Sequence, residues 1–153
     1  MPVLKNMYDV AAAEEIRQRL TQLRPDRVRQ WGTMNAAQVT AHCARGFEWA
    51  VGDARPPRMF LGRLFGGFVK NKALGNSDPL RRNTPTAPSL IVKDDRDLDA
   101  ERARLRTLID RFVAAGPAGC TTHPHSFFGP LTPQEWSVLM YKHMDHHLRQ
   151  FGV

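Results

Sequence analysis

Cysteine is scarce. Two residues, Cys43 and Cys120, in a chain of 153 exclude a disulfide framework and a cysteine-rich zinc ribbon, and they suit a reducing compartment. Long apolar runs are missing as well. The most apolar stretch, residues 57–69, is broken by Arg58, Arg63 and the Gly66-Gly67 pair, well short of the ~20 residues that span a bilayer. A secretory leader is not expected either, since Lys5, Asn6 and Asp9 interrupt the first ten residues before any apolar core could form. A cytoplasmic protein is the expectation. Only residues 89–93 could be extended, and one such run makes no sheet. There is no internal repeat, no block of five or more Lys and Arg, and no recognisable nucleic-acid motif, so no specific nucleic-acid partner is expected.

With 42% hydrophobic and 24% charged residues, the composition is that of a soluble globular protein. The length suits a single domain over residues 1–153. Twenty-two Lys and Arg against fifteen Asp and Glu give a net charge of +7, which favours an acidic partner such as nucleic acid, anionic lipid or an anionic metabolite.

Helical periodicity dominates. Val10, Ala13, Ile16, Leu20 and Leu23 recur at three and four before Pro25, which predicts a first helix. Asn35 with Gln38 in capping-box spacing starts a second that runs to Gly52. Residues 57–74 predict one short helix, followed by a long loop rich in Asn, Thr and Pro. A third long helix runs from Asp97 to the Gly116-Pro117 stop, and Thr132-Pro133-Gln134-Glu135 opens the fourth, which lasts to Gly152. The expected fold is all-α: a four-helix bundle with an additional short helix and a long loop between the second and third long helices.

Three of the six histidines crowd into the last helix. At about 100° per residue, Trp136, Met140, His143, Met144, His147 and Phe151 share one stripe, His146 lies at its edge, and Lys142 and Asp145 point away. His143 and His147 are spaced i and i+4, so both imidazoles can reach one ion. On the second helix Val39, Cys43, Gly46 and Ala50 face inward, with His42 and Trp49 flanking them. A lone inward histidine is ordinarily a hydrogen-bonded core residue. Three of them, each costing about 1–3 kcal/mol if buried without a partner, point instead to a divalent metal held by His42, His143 and His147, with a position left open as in catalytic sites.

The segments Trp31-Gly-Thr-Met-Asn-Ala-Ala-Gln-Val-Thr-Ala-His42, Phe127-Phe-Gly-Pro-Leu-Thr132 and Tyr141-Lys-His-Met-Asp-His-His147-Leu-Arg-Gln-Phe-Gly resemble the DinB/YfiT-like superfamily, and within it a branch of domain-of-unknown-function proteins. The resemblance covers nearly the whole chain. It implies an up-down-down-up four-helix bundle, often a homodimer, holding nickel or zinc at the positions of His42, His143 and His147. It further implies a metal-dependent hydrolase or thiol-dependent S-transferase with a small-molecule substrate and, for the transferases, a low-molecular-weight thiol.

No catalytic base is assigned, because Glu48 and Asp145 both project away from the histidine stripe and are read as carboxylates that solvate the surface or orient a partner. Cys43, on the inward stripe, reads as an inert packed thiol. His123 and His125 lie in the loop before the last helix, either exposed or lining the mouth of a pocket whose apolar wall would include Phe127, Phe128 and Trp136. His125, Phe128 and Trp136 are the candidate substrate contacts. Residues 57–74 place Met59, Phe60, Leu64, Phe65 and Phe68 among Arg58, Arg63, Lys70 and Lys72. Such a helix can lie on an anionic membrane, but packing over the open end of the bundle or a dimer face is the expectation. The competing functional reading is a non-catalytic basic binding protein for an acidic ligand or membrane surface.

Overall fold

The computed structural model describes residues 3–153. Five α-helices carry the fold: α1 (Val10–Thr21), α2 (Ala36–Val51), α3 (Phe60–Leu74), α4 (Leu98–Ala115) and α5 (Pro133–Gln150). No strand occurs among the described residues; His125 and Gly129 form one isolated bridge that closes a tight loop before α5.

The helix starts are set by local chemistry. The Asp9 carboxylate accepts from the Ala11 amide, Asp97 from Ala100, and Asn35–Gln38 and Thr132–Glu135 form reciprocal capping boxes, each satisfying amide donors that the first helical turn leaves free. At the far end of α2, Gly52 takes φ 85°, a left-handed conformation that costs glycine little.

Side-chain pairs fix the helix directions. From α2 to α4, Gln38 donates to the Asp94 carbonyl at 3.2 Å, Arg104 pairs with Glu48, and Arg111 clamps Asp53 at 2.7 and 3.0 Å. Both chains advance together, so these helices are parallel. So are α1 and α5, joined by Met7–Ser137, Glu15–Tyr141 and Arg19–Asp145. Arg17–Asp110 and Arg102 with the Leu23 carbonyl run the other way between α1 and α4. The order is up-down-down-up. Two parallel neighbours cannot be joined by a tight turn, so the connection from α2 to α4 has to travel the length of the bundle. It contains α3 and a 3-10 turn, Pro88–Leu90.

Between the four long helices lie Ile16, Leu20, Phe47, Leu105, Ile109, Phe112, Met144 and Leu148. Tyr8 stacks on Phe112 at 5.0 Å between ring centres, and Phe47 meets the same ring edge-on.

Helix α3 departs from expectation twice. It is fifteen residues long, and its protein-facing side is not the apolar stripe but Gly62 and Gly66. A Cβ at Gly62 would lie 2.5 Å from the Phe127 carbonyl oxygen, and one at Gly66 would strike the same atom. The two backbones approach so closely that only glycine fits, and the phenylalanines are turned outward. Lys142 of α5 anchors the far end, its Nζ donating to the Ala73 and Asp78 carbonyls at 2.6 and 2.8 Å. Lys142 and Asp145 do point away from the histidine stripe, yet both are buried. Asp145 accepts from Arg19 and Arg149, so the surface role expected for it is replaced by a clamp on α1. Glu48 is likewise engaged, by Arg104.

Candidate metal centre

His42 projects from the middle of α2, and His143 and His147 from successive turns of α5. The three rings form a near-equilateral triangle, with every pair of centroids 4.7 Å apart. One nitrogen from each lies within 4.8 Å of the other two. Gly46 of α2 faces the His143 ring, where an added Cβ would sit in ordinary contact at 3.5 Å from Nδ1. His42 is buried, while the other two are enclosed on most sides and keep part of their surface open to solvent.

Hydrogen bonds decide which nitrogens face inward. His42 Nδ1 lies 2.7 Å from the Leu90 carbonyl. A carbonyl only accepts, so Nδ1 carries the proton and Nε2 presents a lone pair. Gln150 does the same for His147. Its amide NH2 donates to the Trp31 carbonyl at 2.7 Å, which turns its Oε1 toward His147 Nδ1, 2.8 Å away. His147 therefore also carries its proton on Nδ1. His42 Nε2 then accepts from His143 Nε2–H at 2.8 Å, and that single proton is the one a cation must displace.

Burial holds all three pKa values below the ordinary histidine range, those of His143 and His147 well below it; repulsion from neighbouring histidines adds to this for His143 and His147, and from His146 and Arg45 for His42. The rings are neutral near pH 7, as metal ligands must be. With no carboxylate in the set, a divalent ion would keep its charge and an open position, as in catalytic rather than structural sites. The residues fit such an ion by donor type, protonation state and outer hydrogen bonds.

A family model described as "Protein of unknown function (DUF1569)" matches residues 5–152. The chain belongs to this family. No curated protein matches the chain, and no solved structure does. Membership of the DUF1569 family carries no activity and says nothing of the DinB/YfiT-like superfamily.

The other candidate residues of this DUF1569 chain fall into place around the centre. His125, Phe128 and Trp136 do come together: the His125 ring stacks on Phe128 at 4.7 Å and lies 5.5 Å from both Trp49 and Trp136. Its Nδ1 accepts from the Phe127 and Phe128 amides, so the ring organises the loop, and its proton sits on Nε2. Burial and the nearby Arg58 pull the His125 pKa down to about 4. Trp136 is part of the core. His123 is bonded to the Pro56 carbonyl at 2.7 Å, so it staples the segment before α3 rather than standing free in the loop. His146 donates to the Leu80 carbonyl and meets Trp31 edge-on, outside the triangle. Cys43 is a buried free thiol whose pKa burial pushes up, which keeps it unreactive.

Two groups that position the site gave little sign in the sequence. Gln150 stands three residues after His147, a spacing that brings side chains together on a helix and could have flagged it. The Leu90 carbonyl is backbone from a distant loop, and no side-chain pattern points to it.

Proposed function

We propose that His42, His143 and His147 hold one divalent ion, nickel or zinc, and that the protein is a metal-dependent enzyme of the DinB/YfiT-like kind, a hydrolase or thiol-dependent transferase acting on a small molecule. One observation carries the reading: the Leu90 carbonyl and Gln150 hold the Nδ1 protons of His42 and His147, which leaves a lone pair on Nε2 of each ring in a group whose ligand nitrogens lie within 4.8 Å of one another. Core histidines need no such agreement; a shared ligand does. Bound there, the ion supplies Lewis acidity and lowers the pKa of a water or thiol that binds it.

The chain's part is to hold and orient. Gln150 and the Leu90 carbonyl keep two rings from rotating. His125 Nε2–H is bonded to no protein group among the described residues and supplies a donor for substrate, with Phe128 as an apolar neighbour. Substitution of His143 or His147 by alanine tests the centre. Protein purified without a histidine tag should contain close to one nickel or zinc per chain by elemental analysis, and each variant should lose it. Saturation with zinc at ~1,000 times the dissociation constant should stabilise the metal-free wild type by about 4 kcal/mol. A wild type that purifies without metal and shows no thermal shift with either ion overturns the reading.

A further inference from the structure

Of the large apolar side chains that the bundle leaves exposed, Phe60, Leu61, Leu64, Phe65 and Phe68 all belong to α3, with Phe60 and Phe68 about three-quarters exposed. They lie at i, i+1, i+4, i+5 and i+8, one continuous arc of the helix. Stable soluble proteins seldom leave such a patch uncovered without a partner for it. The opposite side is spent on Gly62 and Gly66 against Phe127, so the helix cannot roll its phenylalanines inward without losing that fit.

The charge around the arc identifies the partner. Residues 54–77 hold Arg55, Arg58, Arg63, Lys70 and Lys72 and no acidic residue. Lys70 pairs with Glu135, whereas Arg55, Arg63 and Lys72 are exposed and pair with no carboxylate among the described residues. At about 100° per residue Arg63 falls about 60° beyond the Phe60 edge of the arc, on the exposed side of the helix, and Lys72 falls about 20° within the opposite edge. A second copy docked by two-fold symmetry would set these cations against themselves, which costs affinity. A surface with an apolar interior and negative headgroups suits both features at once. We infer that α3 is an interfacial helix that docks the protein on anionic lipid, with its phenylalanines at the acyl boundary and Arg63 and Lys72 among the headgroups.

Vesicle flotation tests this. Wild type should float with phosphatidylcholine vesicles containing about a quarter phosphatidylglycerol, poorly with phosphatidylcholine alone, and less as salt is raised. Phe65→Asp with Phe68→Asp should abolish flotation. Arg63→Glu with Lys72→Glu should weaken it at least ~25-fold, from about fivefold for each cation lost. All four side chains are exposed, so helix content and thermal midpoint should match wild type. The inference is overturned if wild type ignores the anionic vesicles, if it binds both vesicle types equally, or if the Phe65→Asp, Phe68→Asp protein still floats. It is also overturned if wild type sediments as a dimer that this variant converts to monomer, which would give the face to a second copy.

Discussion

Replacing Gln150 with leucine removes one acceptor and one donor from the wall of the histidine triangle. His147 Nδ1–H loses its partner at 2.8 Å, and the Trp31 carbonyl loses its donor at 2.7 Å. The first loss frees the ring and lowers its basicity. Outer-sphere partners of this kind are worth about 10–100-fold in metal affinity, or about 1.4–2.8 kcal/mol. The second loss leaves a carbonyl short of a bond and costs stability, about 1–3 kcal/mol by the usual penalty for an unsatisfied polar group. Gln150→Glu separates the two. It keeps an oxygen for His147 and gives up the NH2 that Trp31 needs. Competition with a chromogenic zinc chelator should show Gln150→Leu weakened by about 10–100-fold and Gln150→Glu at or above wild-type affinity, while thermal melts of the metal-free proteins show both destabilised. Equal zinc affinity for wild type and Gln150→Leu, or equal weakening in both variants, refutes the positioning argument.

The glycines of α3 supply an internal control. Gly62→Ala should cost about 1–3 kcal/mol through collision with Phe127, whereas Gly67→Ala, with no atom within 4 Å of the added Cβ, should be neutral or stabilising by up to about 1 kcal/mol; equal thermal midpoints for the two variants would contradict the packing described. Acid should destabilise the protein between pH 6.5 and about 4, because the unfolded chain protonates His125 at its ordinary value of 6.5 while the folded ring resists until about 4. That stabilisation is fully present above pH 6.5 and is lost progressively as the pH falls to and through 4, an effect of about 3 kcal/mol. Urea melts across this range should show a shallower pH dependence in His125→Asn, and an unchanged dependence would count against a buried neutral His125.

Much of the fold could be read from local chemistry. The Asn35–Gln38 and Thr132–Glu135 caps begin helices at the expected residues, and Gly52 ends α2 where it should. The histidine triangle was legible because His143 and His147 sit one turn apart, and because period-3.6 arithmetic needs no knowledge of neighbouring helices to say which residues share a side. What failed was the same arithmetic applied to α3. Its periodicity marks an apolar arc but not which side meets protein, and the deciding contact is backbone against backbone at Gly62, Gly66 and Phe127. Lys142 and Asp145 illustrate the same limit: both lie off the stripe as expected, but their burial depends on Arg19 and on the Ala73 and Asp78 carbonyls, which are remote in sequence.

By itself the order of residues determined helix type, helix ends and the identity of three inward imidazoles, since capping and amphipathic spacing act over three or four residues. Tertiary structure alone decided that α2 and α4 run parallel, that two rings have their tautomers set by the Leu90 carbonyl and Gln150, and that α3 shows its phenylalanines outward. Each of those outcomes depends on groups brought together from far along the chain, where hydrogen-bond direction and the closeness of two backbones settle what periodicity leaves open.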